Sequence, residues 1–487
     1  MVMIIIRLLL TLTITIFFGD LLLCSFTRGA KGFYPLERLS IAFPLGLSGA
    51  VFIMFFFGIL HVPINAVAMF SAVIFFSAML LIWGLKSGNY SIAPFSSFFK
   101  SPALGEIDLN MCLEIFLFFY IGLKVLLAFF STLIKPVVDV DAIANYALVA
   151  KGIFCSQTFT TPYLLGFFED KPPFPFLDLS WIPIGIGSWN DCLAKGIYPL
   201  LYLCFTVIIY YAVRRGASRL YALFFAFLFI SLPFIMHHAQ TAYADFPQMF
   251  FYAAGTIYLF LCMKDFGVDD EKSCDFFFVS MVFLAFAIWV KRGGMYLCGI
   301  DALVFLVFIA LRKNMPSPAI AKRFGAVLVA AIVVVAPWLI YGRLQTAFTT
   351  ISLMKSGGGE GGALLDRASV IANVAFTKLF LYADWNLLWA CLILSLMICT
   401  VNVWRNINVY LLVIVVLNVF ALFVQFSSGG SFVWLLQGTL FDRLVMAPVP
   451  VVLYFISQVL IDLGADPVLP PKLNEEKRRS GKTKKGH

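Results

Sequence analysis

Apolar side chains recur in runs of about 20 residues along nearly the whole chain, the length a helix needs to cross a hydrocarbon core of roughly 30 Å. The runs predict spans at 3–25, 39–60, 63–85, 110–133, 198–213, 219–236, 247–263, 276–290, 295–311, 324–341, 386–403, 407–426 and 444–463. Strands of a transmembrane barrel would instead alternate over about 10 residues. The pattern therefore predicts an all-α polytopic membrane protein of about 13 transmembrane helices, with extracytoplasmic loops carrying short surface helices.

An odd number of spans places the termini on opposite sides. Basic residues cluster at Arg28/Lys31/Arg38, Arg214/Arg215/Arg219, Arg312/Lys313/Lys322/Arg323 and Lys472 to Lys485, and the count puts all four on one side. The positive-inside rule makes that side cytoplasmic, the C-terminus included. Segments 134–197, 342–385 and 427–443, poorer in Lys and Arg, then face outward. Arg7 before an apolar run also suits a signal peptide. No small-residue pair precedes a cleavage point, however, and Leu23 before Cys24 does not suit a lipoprotein signal, so 3–25 is read as a span.

Composition supports the same reading: 62% of the 487 residues are hydrophobic and 13% charged, which no water-soluble fold could bury. The net charge of +9 comes largely from the tail KLNEEKRRSGKTKKGH, which suits anionic lipid headgroups rather than nucleic acid. Seven of the ten cysteines lie within predicted spans as packing residues. Cys155 and Cys192 share the first outer loop, where an oxidising compartment permits a disulfide, although nothing in the sequence sets their separation.

Charge is costly at bilayer depth, so polar residues gathered at span ends carry information. In KPVVDVDAIANYALVAKGIF, 135–154, Pro136 stops a helix and Asp139 and Asp141 stand where the next begins, either as caps or as carboxylates held at the surface. In HHAQTAYADFPQMFFY, 237–252, His237, His238, Tyr243 and Asp245 share a short turn; without an HExxH arrangement it is weak as a metal site and reads as an ordinary helix start. In WVKRGGMY, 289–296, Lys291 and Arg292 sit on the outer side against the charge rule, beside two glycines that let a lipid phosphate approach the backbone. Snorkelling to ordinary headgroups is the alternative. In TLFDRLVMAPVP, 439–450, Asp442 and Arg443 pair with each other or with a neighbouring helix.

Nucleotide chemistry finds no motif. SGGGEGGA at 356–363 lacks a following GK[ST], and the GKT at 481–483 has Glu476 where a P-loop has its first glycine. A primary pump is thereby disfavoured, and G-x-S-x-G, zinc-finger and haem-attachment patterns are absent from the sequence.

The order of these places resembles the polytopic GT-C glycosyltransferases, which include the protein O-mannosyltransferases and the lipid A aminoarabinose transferases. Against a first-loop pattern D-x-x-x-N-W-x-x-K-A-K-x-L-Y, Asp141, Asn145, Tyr146, Ala150, Lys151, Ile153 and Phe154 fit, with Tyr for Trp. Tyr243, Ala244, Asp245 and Pro247 fit a G-Y-A-D-L-P turn; Lys291 and Gly294 fit K-N-E-G, with Gly293 in place of Glu. LYADWNLLW at 381–389 and LFDRLVM at 440–446 complete the series. The resemblance covers about 110–460 and divides the chain into N-terminal helices 1–109, a core 110–463 and a basic cytoplasmic tail 464–487.

Such a resemblance implies inverting transfer of a sugar from a polyprenyl-phosphate carrier to an acceptor on the extracytoplasmic face, here of a bacterial inner membrane. It implies Asp141 as base with Asp139 in reserve, and Lys291, Arg292 and Arg443 as binders of the carrier phosphate. Asp245, His238 and Tyr243 would bind the acceptor or orient the site. No cofactor is implied, although the D-x-D triplet of Asp139 and Asp141 also suits a divalent cation. Two other readings stand beside it: a transporter or flippase of a lipid-linked or polar substrate, and a non-catalytic scaffold of the same fold, to which Gly293 points. The sugar and the acceptor are not written in the sequence.

Overall fold

The computed structural model describes residues 2–90, 108–161, 164, 171–312, 317–349, 364–398, 406–427 and 429–464. The glycine-rich segment 356–363 and nearly all of the basic tail lie outside the described residues.

Among the described residues ten helices are long and apolar enough to cross a membrane. They are α1 (Val2–Phe26), α2 (Pro35–Ile59), α3 (Ala66–Lys86), α4 (Leu109–Ile134), α6 (Ile197–Arg214), α8 (Asp245–Asp265), α9 (Asp270–Val290), α10 (Gly293–Leu311), α11 (Pro318–Thr349) and α13 (Asn408–Ser427). Four shorter apolar helices accompany them: α5 (Phe174–Ile186), α7 (Arg219–Ile230), α12 (Leu388–Ile398) and α14 (Val449–Asp462). The chain is an all-α polytopic membrane protein.

Two of the predicted spans, 219–236 and 444–463, are shorter than the apolar pattern suggests. The run 219–236 divides because Pro233 holds Leu232 extended (φ −71°, ψ 116°), and a new short helix, Pro233–His238, starts beyond it. The segment 134–197 holds more than surface helices: α5, bounded by Pro173 and by Gly187 at φ +76°, is buried at every position. At 13 residues it is too short to span, yet it is apolar apart from the buried Asp178 and Ser180 and wedges against α1 and α2.

Helix α8 is the axis of the fold, its membrane segment buried on all sides by α6, α9, α10 and α14. α3, α4 and α11 instead present apolar side chains outward, as helices bathed in lipid do. The N-terminal helices join the same core. α1 and α2 cross at Gly19 and Gly46, where a β-carbon would collide with the opposing backbone, the small-residue contact on which membrane helices rely. Glu37 of α2 is fully buried and accepts bonds from Arg215 Nη2 at 2.7 and 2.8 Å and from the Tyr258 hydroxyl at 2.9 Å. These bonds tie α2 to α6 and α8.

Candidate active site

The segment after α4 enters the site as three short helical pieces: Val140–Ala142, a π-helical turn Ile143–Ala147, and Leu148–Ser156. Asp139 is the N-cap residue, but its side chain makes no capping bond. Asp141 is half exposed. Its Oδ2 accepts Arg443 Nη1 at 2.7 Å and its Oδ1 accepts Asn145 Nδ2 at 3.4 Å.

Arg443, on the five-residue helix Phe441–Val445, joins this segment to α8. Its Nε and Nη2 donate to Asp245 Oδ2 at 3.0 and 2.9 Å, and its guanidinium lies 4.7 Å from the Tyr243 ring centroid. Burial works against this charge, but the carboxylates of Asp245 and Asp141 outweigh it and hold the guanidinium above its ordinary pKa. Asp245, whose side chain is 1% exposed at the start of α8, also accepts Lys291 Nζ through Oδ1. Lys291 reaches it because α9 ends there and the chain turns at once into α10. Gly294 makes that turn close, since a β-carbon would strike the Ala287 carbonyl.

Sequence positions 141, 245, 291 and 443 therefore form one chain of charge, Asp141–Arg443–Asp245–Lys291. Neighbouring residues separate more than the sequence suggests. Lys291 turns inward, whereas Arg292 lines a groove of about 630 Å³ between α10 and α13, whose walls include Tyr296, Leu303, Leu417 and Phe420. Asp442 and Arg443 do not pair with each other. Asp442 accepts Lys378 Nζ at 2.9 Å and Trp385 Nε1 at 3.2 Å, so the DR pair joins two polar clusters.

His238 lies outside the hydrogen-bonded set. It lies between Phe234 and Tyr243, its ring tilted by 36° and 35° to theirs, with Nδ1 3.1 Å from the Phe234 carbonyl. Burial pushes its pKa down to about 4 against the pull of Asp245, so the ring is neutral at pH 7. His237 contacts it edge-on. Tyr146 is buried beneath Asp141, and burial, then the Asp245 charge, raises its phenol above the ordinary value.

Sequence reasoning missed Lys171 and Lys378. Lys171 donates to Asn145 Oδ1 and lies 5.7 Å from the Tyr146 centroid. Its signal is faint, a single cation in a loop, and only folding sets it beside the D-x-x-x-N-Y segment. Among the described residues no three of His, Cys, Asp and Glu gather as a metal-binding group, and one oxygen of Asp141 is engaged by Arg443. Cys155 and Cys192 are free thiols.

The sequence matches no family model and no curated protein. The structure resembles that of ArnT from Cupriavidus metallidurans bound to undecaprenyl phosphate, with TM-score 0.50 and 14% identity over 73% of this chain and 61% of that one. The two proteins share a fold. The apo form of the same ArnT gives TM-score 0.48 and 15% identity over 74% of this chain. The chain spans about 61% of the ArnT length.

Proposed function

We propose that this protein is a membrane glycosyltransferase of a bacterial inner membrane, moving a sugar from a polyprenyl-phosphate carrier to an acceptor on the extracytoplasmic face with inversion. The observation that carries this reading is the Asp141–Arg443–Asp245–Lys291 chain on a GT-C fold. Two carboxylates there face two cations, and Lys171 and Arg292 add positive charge nearby. The cations of the chain suit an anion, and the groove beside Arg292 suits a long apolar tail. ArnT, of the same fold, binds undecaprenyl phosphate.

In this reading the acceptor oxygen attacks the anomeric carbon as the bond from that carbon to the phosphate oxygen breaks. Asp141, the exposed carboxylate of the chain, takes the hydroxyl proton. The leaving lipid phosphate gains charge, and Arg443 and Lys291 stabilise it more in the transition state than in the ground state. Asp245 is the buried counter-ion that keeps both cations in place before the carrier arrives.

Native mass spectrometry of the protein in nanodiscs with undecaprenyl phosphate and its phospho-sugars tests this. The expected result is a bound carrier whose occupancy falls at least about tenfold in Arg292→Ala/Arg443→Ala, the loss of two charge-assisted contacts. A wild type that retains none of these lipids would refute the proposal.

A further inference from the structure

One carboxylic acid lies far from the charged chain, near the middle of a membrane span. Asp301 is the ninth residue of the 19-residue α10 and is fully buried. The polar groups beside it are Tyr252 and Thr256 of α8, Cys298 of its own helix and Asn418 of α13. Among the described residues no Lys, Arg or His pairs with it. An ionised carboxylate at this depth with no counter-charge costs several kcal/mol.

The hydrogen count points the same way. Thr256 Oγ1 lies 2.9 Å from the Tyr252 carbonyl and 2.6 Å from Asp301 Oδ2, and its single hydrogen serves one of them. If Asp301 is the neutral acid, its O–H donates to Thr256, Thr256 donates to the carbonyl, and both contacts are hydrogen bonds. The Tyr252 hydroxyl reaches Oδ1 at 3.3 Å and accepts Asn418 Nδ2 at 2.7 Å. These direct contacts favour a proton over a metal cation.

This acid is joined to the charged chain by one face of α8. At 3.6 residues per turn, Asp245, Gln248, Tyr252 and Thr256 fall within an arc of about 80° and descend roughly 16 Å. The other faces of α8 are mostly apolar, apart from Tyr258, whose hydroxyl bonds Glu37. Gln248, midway between Asp245 and Tyr252, is 4% exposed, and neither its Oε1 nor its Nε2 has a hydrogen-bond partner among the described residues. The Oδ1 of Asn418 is likewise buried and unpartnered. Buried amides are seldom left unbonded, and ordered water is the usual partner where protein supplies none.

We propose that the seam Asp245–Gln248–Tyr252–Asp301 is a hydrated proton route, and that Asp301 is an intramembrane proton-binding site in exchange with the charged cluster. Exchange breaks and re-forms O–H bonds along a hydrogen-bonded chain and leaves Asp301 neutral. The inference stands apart from the glycosyltransferase reading, and failure of every carrier-binding assay would not touch it.

Infrared spectroscopy of the whole protein in nanodiscs, moved from H₂O to D₂O, is the test. The expected result is a protonated-carboxyl band that Asp301→Asn removes and that shifts in D₂O. Its exchange should slow at least about tenfold in Gln248→Met, which keeps side-chain length and removes the amide, with the melting temperature unchanged. If Asp301→Asn fails to fold, modification of wild type by a hydrophobic carbodiimide, located on Asp301 by peptide mass spectrometry, assigns the proton instead. Absence of an Asp301 band and of labelling, a band that never exchanges, equal exchange in Gln248→Met, or protection of Asp301 by sodium would each overturn the proposal.

Discussion

Arg443→Ala removes the residue that joins three segments of the site. Its side chain makes bonds of 2.7 Å to Asp141 and of 2.9 and 3.0 Å to Asp245. The two losses are unequal. Asp141 is 50% exposed, so water replaces most of what it loses, and the cost there is about 0–1 kcal/mol. Asp245 is 1% exposed and would keep Lys291 as its one remaining cation. Breaking a buried pair of this kind costs about 3–5 kcal/mol, so the Asp245 term dominates. At roughly 2 °C per kcal/mol for a large domain, the melting temperature falls by about 6–10 °C. Because the penalty is an uncompensated carboxylate, Asp245→Asn in the Arg443→Ala background should recover part of the loss, although alone it is destabilising. Thermal unfolding of all four proteins in one detergent, followed by tryptophan fluorescence, gives the cycle. A shift below about 1 °C in Arg443→Ala, or no recovery in the double variant, would show that the buried charge is not what Arg443 holds.

Other expectations follow from the same geometry. His238 titrates near 4 folded against 6.5 unfolded, so between those values the unfolded chain binds the extra proton and stability rises with pH. Up to about 3 kcal/mol is fully present above pH ~6.5 and lost as pH falls towards 4, and His238→Gln should flatten the melting temperature across that window. Asp141→Asn should lower turnover by about 10²–10⁴ while carrier binding, read by native mass spectrometry, persists; a scaffold would show no change. Trp385→Phe deletes the indole donor to buried Asp442 and should cost about 1–3 kcal/mol in chemical unfolding, and an unaltered midpoint would contradict the bond.

The charged cluster shows how far local sequence reaches. Asp141, Asp245, Lys291 and Arg443 stand out in an apolar chain because each interrupts a hydrophobic run at a span end, a property of one-dimensional pattern. Their mutual distances are not such a property. Asp141 and Arg443 are 302 positions apart, and the helices between them had to pack before the two could touch. The pairing partners of Asp442 show the same limit: adjacency to Arg443 suggests an ion pair, whereas a helical turn of 100° per residue sends the two side chains to different neighbours.

Hydrophobic periodicity by itself determined that the chain is a polytopic helical membrane protein, since lipid accepts only segments that satisfy their own backbone. It also located most of the long helices to within a few residues, although α9 and α11 start about six residues before the predicted spans, and Pro233 marks in sequence the break that shortens α7. Tertiary structure alone decided which apolar segments lie inside the bundle. α5, which the sequence places in an outer loop, is buried at every position, whereas α11, a predicted span, faces outward. Burial is a relation among helices, and a hydropathy profile does not record it. For the same reason Asp301, one acid in an apolar stretch, acquires its setting only when α8 and α13 bring hydroxyl and amide groups against it.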